Sequence, residues 1–360
     1  MPHLESGAFV PSLPLRSGVA MTLYTALWAS RHWEASITLP APPYQPRTFY
    51  GSGQVPLWGL VALQPGGGRG TIVGTYGITG DLDNQWFLRL MGRKAFAAGY
   101  SVVLFDWRAH GKTAELSPAL TSDGIYEGPD FVHVASQARA MGCAAPVWFT
   151  GFSLGGQLAL WGVKTAQSDG LEEDYGIASS DIAGAAVICP SLESDRSLCY
   201  LEQAVVGRYL EQAIARSLQT LAWRLHQLHP GQLDPEAIAQ ASTIRQFDQH
   251  LVIPKLGFLT TEAYYRATSP LYFLSTLTKP VFILYAADDP LFDPSLVSEL
   301  KHLCNASPAI QLMLTQYGGH VGYFNSGSGQ RQWNDPDPWW AWNRILQWIS
   351  TADGQAKPTE

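Results

Sequence analysis

Residues 147–162 read VWFTGFSLGGQLALWG and contain a G-x-S-x-G motif centred on Ser153. An apolar run before the motif is typical of a buried strand, and the residues after it are typical of a packed helix. Gly151 and Gly155 flank the serine at positions where side chains would collide with the incoming strand and the outgoing helix. The stretch predicts a strand, a sharp turn and a helix that expose the Ser153 hydroxyl as a candidate nucleophile. The alternative is that Ser153 is merely a small residue in a tight turn.

Short β-like runs alternate with helical stretches along most of the chain. Near-continuous apolar runs separated by helices predict an α/β fold with a mostly parallel sheet covered on both faces. QPGGGRG (64–70) joins the first two runs and suits a hairpin-like connection. It feeds a strand and lacks the ending of a phosphate-binding loop, so we expect no nucleotide there. The predicted strands are 57–63, 71–76, 101–106, 147–150, 184–189, 281–286 and 310–315.

The alternation stops between residues 191 and 268, where the sequence becomes helical. This block predicts a lid inserted over the carboxyl ends of the strands, where open α/β sheets bind ligands. The predicted core is then residues 1–190 together with 269–360. His226 and His229 lie three apart in the block without carboxylates or cysteines around them, so we predict exposed helix residues and no metal site.

Composition excludes several classes of function. The net charge is −7 and the basic residues are scattered, so a nucleic-acid partner is not expected. Four cysteines without a CxxC pair, and a chain without a secretory leader, predict a cytoplasmic protein. The apolar stretch VAMTLYTALWA near the N-terminus is too short to span a bilayer. It could rest on a membrane surface as a peripheral contact, but burial against the core is favoured.

A nucleophilic serine needs a base and an orienting acid. In folds of this type, the acid and then the histidine follow the serine in the chain, each on a loop after a strand. VFILYAADDPLFD offers three aspartates, and IQLMLTQYGGH places His320 after the next strand. Asp289, fixed by the proline that follows it, is the favoured acid over Asp288, and Asp293 reads as the N-cap of the helix PSLVSELKHL. His110 is the competing base, although Asp106 and Arg108 beside it could pair in a structural turn.

Two backbone N–H groups are needed for the oxyanion that forms during acyl transfer. Leu154, the residue after the candidate nucleophile, can supply one of them. The loop TYGITGDLDN can supply the other from Ile78, because Gly77 lets the backbone approach closely. No metal and no organic cofactor is implied by this set of residues.

At this point the chain resembles the α/β-hydrolases, and within them the YheT-like esterases, also called abhydrolase group 4 proteins. Four segments carry the resemblance, and the segment at 247–270 is fairly specific. YGITGD stands where this branch has its HGLxG oxyanion loop, with Tyr76 in place of the usual histidine. Val19 likewise departs from the N-terminal pattern, and FDWRAHGKT replaces the usual D-x-R-G-H-G. The four segments are FVPSLPLRSGVAMTLYTAL (9–27), YGITGD (76–81), FDQHLVIPKLGFLTTEAYYRATSP (247–270) and AADDPLF (286–292) with GGHVGY (318–323).

The resemblance implies Ser153 as nucleophile, Asp289 as orienting acid and His320 as base, acting on small-molecule carboxylic esters or acyl lipids. Two alternatives stay open. One is an acyltransferase with the same triad, in which an alcohol or thiol replaces water. The other is a non-catalytic binding protein on the same fold, because a fold alone does not imply a function. The oligomeric state cannot be deduced from the sequence.

Overall fold

A computed structural model describes residues 9–356, and the parts of the predicted core at 1–8 and 357–360 lie outside the described residues. Eight strands form one sheet in the order β1-β2-β4-β3-β5-β6-β7-β8. Strands β3 to β8 run parallel to one another, which confirms the predicted α/β fold with a mostly parallel sheet. The strands are β1 Gln45–Tyr50, β2 Pro56–Ala62, β3 Thr71–Thr75, β4 Ser101–Phe105, β5 Val147–Phe152, β6 Ile182–Ile188, β7 Val281–Ala286 and β8 Ile310–Thr315.

The first strands of the sheet differ from the sequence-based prediction. β2 pairs antiparallel with β1 and with β4, and β3 lies on the far side of β4. The predicted hairpin-like connection through residues 64–70 is therefore wrong, because the segment crosses from β2 past β4 to β3. β1 was not among the predicted strands: it contains Pro46 and exposes all but one of its side chains, as edge strands do.

Helices cover both faces of this sheet. Adjacent residues of a strand point to opposite faces, and on β5 the Phe149 ring packs against Phe131, while the Trp148 ring packs against Trp348. The α-helices are α1 Gly18–Tyr24, α2 Ser30–His32, α3 Trp86–Ala97, α4 Thr113–Leu116, α5 Glu127–Ala140, α6 Leu154–Ala166, α7 Leu171–Tyr175, α8 Ser194–Gln203, α9 Val205–Leu228, α10 Pro235–Gln240, α11 Ile244–Phe247, α12 Ile253–Leu256, α13 Thr261–Thr268, α14 Leu296–Ala306, α15 Gly327–Trp333 and α16 Trp340–Ala356.

Tryptophans anchor the C-terminal helix. Trp339, Trp340, Trp342 and Trp348 are all buried in the main hydrophobic core, and Trp342 stacks on Phe87 of α3. Helices α3 and α16 thus pack together on one face of the sheet, whereas α5 and α6 pack together on the other. The core lies between these two helical layers and the sheet.

Helices α8 to α13 occupy the stretch between β6 and β7, and they share a second hydrophobic cluster. Leu218, Leu225 and Phe247 are buried in this cluster, which continues onto Ala114 and Leu120 from the segment after β4. Several hydrogen bonds and ion pairs also join the block to the rest of the chain. Trp161 of α6, for example, donates from its indole nitrogen to the carbonyl oxygen of Thr268 at 2.7 Å.

The N-terminal apolar stretch is only half buried. Helix α1 continues through a π-helical turn, Thr25–Ala29, whose inner side faces the core. Met21 and Ala29 are buried, but Leu27 and Trp28 are exposed, so the favoured prediction of burial against the core holds for one side of this segment only.

Candidate active site

Ser153 lies in the sharp turn between β5 and α6, with φ of 53° and ψ of −127°. A positive φ is a strained conformation for a residue with a side chain, and such strain concentrates at functional sites. A Cβ on Gly151 would lie 2.1 Å from the carbonyl oxygen of Gly155. A Cβ on Gly155 would lie 2.4 Å from the carbonyl oxygen of Tyr76. Glycine is therefore required on both sides of the serine because backbone atoms occupy the space that a side chain would need.

Asp289 and His320 are brought together from the ends of two neighbouring strands. Asp289 follows β7 and His320 follows β8, and the Nδ1 atom of His320 lies 2.8 Å from Oδ2 of Asp289. The second oxygen of the carboxylate accepts a hydrogen bond of 2.9 Å from the amide of Leu291. The edge of the His320 ring contacts Phe292, with ring centroids 5.2 Å apart. The carboxylate thus fixes the ring orientation and leaves Nε2 as the free nitrogen.

The loop that carries His320 is held by two side chains from distant parts of the chain. The His320 amide donates to Oγ1 of Thr22 at 2.8 Å, and the Gly319 amide donates to Oδ1 of Asp288 at 2.9 Å. Thr22 in turn donates to the carbonyl oxygen of Gly18 at 2.7 Å. The sequence reasoning missed the holding role of Thr22. The resemblance of residues 9–27 to a family segment was the only signal of it.

The N-terminal helix packs tightly against this part of the site. A Cβ on Gly18 would lie 1.7 Å from the carbonyl oxygen of Asp288. Helix α1 and the loop that carries Asp288 and Asp289 therefore touch through backbone atoms. Burial raises the pKa of the Asp288 carboxyl above its usual range. Asp293 is not the N-cap of the following helix, because α14 begins at Leu296 and its cap position is Ser295. The Asp293 side chain instead accepts from the Ser295 amide at 2.8 Å, in the turn before the helix.

The two residues expected to bind an oxyanion lie beside Ser153. Leu154 is the first residue of α6, so its N–H has no acceptor within the helix. Leu154, Ile78 and Ser153 line the same cavity. A Cβ on Gly77 would lie 3.0 Å from the Cβ of Ser153, which is the close approach that the sequence predicts for this loop.

Tyr76 and His110 hold the Ile78 loop in place. The Tyr76 hydroxyl donates to Asp106, whose carboxylate also accepts from the amides of Leu82 and Lys112. Burial raises the pKa of Asp106 to about 6. The predicted pairing of Asp106 with Arg108 is wrong, because the Arg108 guanidinium binds the buried Asp130 carboxylate, with its Nε atom 2.7 Å from Oδ2.

His110 lines the cavity, but both of its ring nitrogens are engaged. Nε2 accepts from the Thr79 amide at 3.2 Å, and Nδ1 lies 2.8 Å from the carbonyl oxygen of Arg108, to which it can only donate. Burial lowers the pKa of His110 to about 4, so the ring is neutral near pH 7. No free nitrogen of His110 remains to take a proton from Ser153.

The cavity above Ser153 has a volume of about 110 Å³. Its walls come from the sheet loops and from helices α8, α9 and α11, and they are mostly apolar. Two buried carboxyl groups, Asp123 and Asp248, interrupt this lining, and Tyr265 donates to Asp248 at 2.6 Å. Other lining residues include Trp107, Leu120, Leu198, Leu201, Ile214, Leu218, Leu221, Phe247, Leu291 and Phe292.

Ser153 and His320 are not joined by a hydrogen bond in the described part of the chain. Phe292 is common to both, because it contacts the His320 ring and lines the cavity at Ser153. Hydrogen bonds between catalytic groups are often long or misaligned before substrate binds. The predicted residues therefore form two assembled units, the Ser153 turn with its amides and the Asp289–His320 pair.

Among residues 9–356, no group of His, Cys, Asp and Glu side chains has an arrangement that could hold a metal ion. His226 and His229 are partly buried rather than exposed as predicted, and each contacts a carbonyl oxygen, of Leu233 and Ala114 respectively. In the same described range, no helix is both long and apolar enough to cross a bilayer.

Comparison with known proteins identifies the family. A family model described as the alpha/beta hydrolase fold matches residues 70–326. The chain belongs to the α/β-hydrolase family. This α/β-hydrolase is 51% identical over 346 residues to the candidate esterase slr0264 of Synechocystis sp., covering 95% of this chain and 94% of that protein.

More distant relatives support the predicted branch. The candidate esterase YheT of Escherichia coli is 28% identical over 58% of this chain and 56% of its own length. Phospholipase ABHD3 of Mus musculus is 26% identical over 71% of this chain and 58% of its own length. The resemblance to the YheT-like branch is thereby confirmed. Among solved structures, the Pyrococcus furiosus esterase Pf2001 superposes with a TM-score of 0.53 at 15% identity, covering 88% of this chain and 98% of that one, which supports the fold alone.

Gly155→Ala should destabilise the protein because the new methyl group would meet the backbone carbonyl of Tyr76 at 2.4 Å. Overpacking of this kind costs roughly 1–3 kcal/mol in the free energy of unfolding. Gly354→Ala is the matched control, since nothing lies within 4 Å of its added Cβ and it lies in helix α16. Urea denaturation of both variants measures the difference. Equal midpoints would show that the turn tolerates a side chain.

Proposed function

We propose that this α/β-hydrolase cleaves carboxylic esters through an acyl-enzyme on Ser153, with His320 as general base and Asp289 as orienting acid. The observation that carries the assignment is the 2.8 Å contact between His320 Nδ1 and Asp289 Oδ2, which lies at the same edge of the sheet as the Ser153 turn. Family membership and the 51% identity to a candidate esterase support ester hydrolysis as the reaction class.

In the proposed reaction, Ser153 Oγ attacks the ester carbonyl carbon while Nε2 of His320 accepts the hydroxyl proton. Asp289 accepts a hydrogen bond from Nδ1–H, which fixes the tautomer and stabilises the imidazolium that forms. The carbonyl electron pair moves to oxygen, where the amides of Leu154 and Ile78 bind the oxyanion. The oxyanion collapses, the bond to the alcohol oxygen breaks, and His320 protonates that oxygen. Water then attacks the acyl-enzyme by the same steps and releases the acid.

The substrate class that fits the cavity is a small-molecule ester or acyl lipid. Leucine and phenylalanine side chains surround Ser153 and favour burial of an acyl chain, because apolar surface removed from water is stabilised by roughly 25 cal/mol per Å². One relative is named as a phospholipase and two as candidate esterases, which agrees with this class.

Residues 191–268 form a lid in this proposal, carried by the core segments 1–190 and 269–360. Its helices contribute much of the wall around Ser153, including Leu198, Leu218 and Phe247. They also contribute most of the second apolar cluster, which favours their movement as a unit. Displacing them would open the cavity to substrate.

Ser153→Ala should abolish ester hydrolysis and labelling by a fluorophosphonate, because only the nucleophile is removed. We expect kcat to fall by about 10⁴ to 10⁶, as in other triads. Ser194→Ala is the matched control, since Ser194 lines the same cavity. Steady-state kinetics with p-nitrophenyl esters and gel-based labelling measure both variants. A folded Ser153→Ala enzyme with wild-type activity would refute the assignment.

Substitutions of the three aspartates after β7 should differ in their effects on kcat and on stability. Asp289→Asn should reduce kcat by about 10⁴, because the asparagine amide favours the wrong imidazole tautomer. Asp288→Asn keeps an oxygen that can accept from the Gly319 amide, so its loss should be intermediate. Asp293→Ala removes the hydrogen bond from the Ser295 amide, so it should cost about 1 kcal/mol of stability with little change in kcat. Kinetics and urea denaturation of the three variants test this order. If Asp288→Asn is inactive and Asp289→Asn is active, the orienting acid is Asp288 and the assignment of Asp289 is wrong.

Hydrogen exchange should show α8 to α13 opening more readily than the core, because lids belong to the less stable parts of a protein. Helices α5 and α6 are the matched comparison, being helical and packed on the sheet. Mass spectrometry of the exchanged chain should therefore find faster exchange in residues 191–268. Equal protection in both sets of helices would count against a mobile lid.

A further inference from the structure

The outer side of the N-terminal helical segment is unusually apolar. Helices on a protein surface ordinarily bury one apolar side and turn a polar side to water. Here Met21 and Ala29 are buried, yet Leu23, Leu27 and Trp28 on the outer side are 46%, 59% and 49% exposed. The segment thus has a second apolar side that nothing in the described chain covers.

A second exposed apolar group lies across a groove from it. Val205, Val206 and Tyr209, at the start of α9, are 62%, 47% and 73% exposed. The groove between the two elements is lined by Val19, Thr22, Leu23, Val206, Tyr209, Leu210 and Pro290. We call the exposed residues of these two elements the apolar face: Leu23, Leu27, Trp28, Val205, Val206 and Tyr209. Contiguous exposed apolar surface of this kind marks sites of interaction with proteins or membranes.

The apolar face lies next to the proposed catalytic residues. Pro290, which lines the groove, directly follows Asp289, and Thr22 accepts a hydrogen bond from the amide of His320. One of the elements, α9, belongs to the proposed lid, and the other supports the histidine loop. A partner that covers this face would therefore touch both sides of the catalytic region.

Three arginines flank the face, and the nearest exposed acids along the chain, Glu34 and Glu202, are paired with Arg93 and Arg245. Residues 16–33 carry Arg16 and Arg31 and no Asp or Glu, and residues 204–210 carry Arg208 and no Asp or Glu. The whole chain, in contrast, has a net charge of −7. Basic residues that flank an apolar helical surface are the pattern that binds an anionic lipid surface, through apolar burial and attraction to the headgroups.

We propose that the apolar face docks on an anionic lipid bilayer and holds the active site against the source of acyl lipid. The role of this docking in supplying substrate rests on the proposed function, whereas the binding to lipid does not. A second copy of the chain is the rival occupant. It would bring Arg16, Arg31 and Arg208 of the two copies to one interface, whereas an anionic surface offers the opposite charge.

The test uses the full chain and sedimentation with vesicles of phosphatidylcholine and phosphatidylglycerol in equal amounts. The double variant Leu27→Asp, Trp28→Asp should lower the fraction bound by about tenfold or more, because it places charge on the side that enters the lipid. Leu259→Asp is the matched control, since Leu259 is 92% exposed on a different segment and should bind as wild type does. Added salt should weaken binding of the wild type.

Each outcome decides one point. Equal vesicle binding by the double variant and the wild type overturns the proposal. So does a wild type that binds no vesicles and sediments as a dimer that the double variant breaks, because a second copy then covers the face. Hydrolysis of soluble p-nitrophenyl acetate is measured in parallel and should be unchanged in the double variant. A wild type that binds vesicles as predicted but does not hydrolyse any ester would refute the proposed function and leave the docking intact.

Discussion

The close contact of backbone atoms around Ser153 is the constraint on which the site depends. β5 enters the turn and α6 leaves it with so little space that a Cβ on Gly151 or Gly155 would overlap a carbonyl oxygen. The oxygen beside Gly155 belongs to Tyr76, so the turn and the Ile78 loop are packed against each other directly. The loop after β3 thus prevents the backbone at Ser153 from relaxing to an unstrained conformation. The nucleophile and the proposed oxyanion amides are positioned by one and the same contact.

The sequence predicted the interior of this fold well and its edge poorly. Strands β2 to β8 are buried or half-buried, so their apolar runs are visible without any knowledge of their neighbours. β1 exposes most of its residues and carries Pro46, so it has no such pattern. The predicted hairpin-like connection was wrong for a different reason. The segment 64–70 is rich in glycine whether it closes a hairpin or crosses to a distant strand, and only the packing of β4 between β2 and β3 decides which.

The candidate site shows the same division between local and distant signals. Ser153, Asp289 and His320 each follow a predicted strand, and motif order, together with Pro290 and the family resemblance, selected them as candidates. The contact of Thr22 with the His320 amide joins residues 298 positions apart, and no local pattern could indicate it. Arg108 likewise binds Asp130 rather than Asp106, which is nearer in sequence, because the Asp106 carboxylate already accepts hydrogen bonds from Tyr76 and from backbone amides. The candidate catalytic residues lie in recognisable motifs, whereas the residues that hold them in place are defined by the tertiary structure.

The buried carboxyl groups of the cavity have a consequence for what it can bind. Burial is the main cause that raises the pKa of Asp123 and of Asp248, and for Asp248 the charge of Asp123 adds to the effect. Raised values favour the neutral acid, so the polar part of the wall offers hydrogen bonds while carrying less charge than two ordinary aspartates would. Asp123 comes from the segment before α5, whereas Asp248 comes from the helical block above the sheet. Burying an acyl chain beside a charged carboxylate is unfavourable, so the neutral form of these two groups keeps the acidic wall compatible with the acyl substrate that we propose.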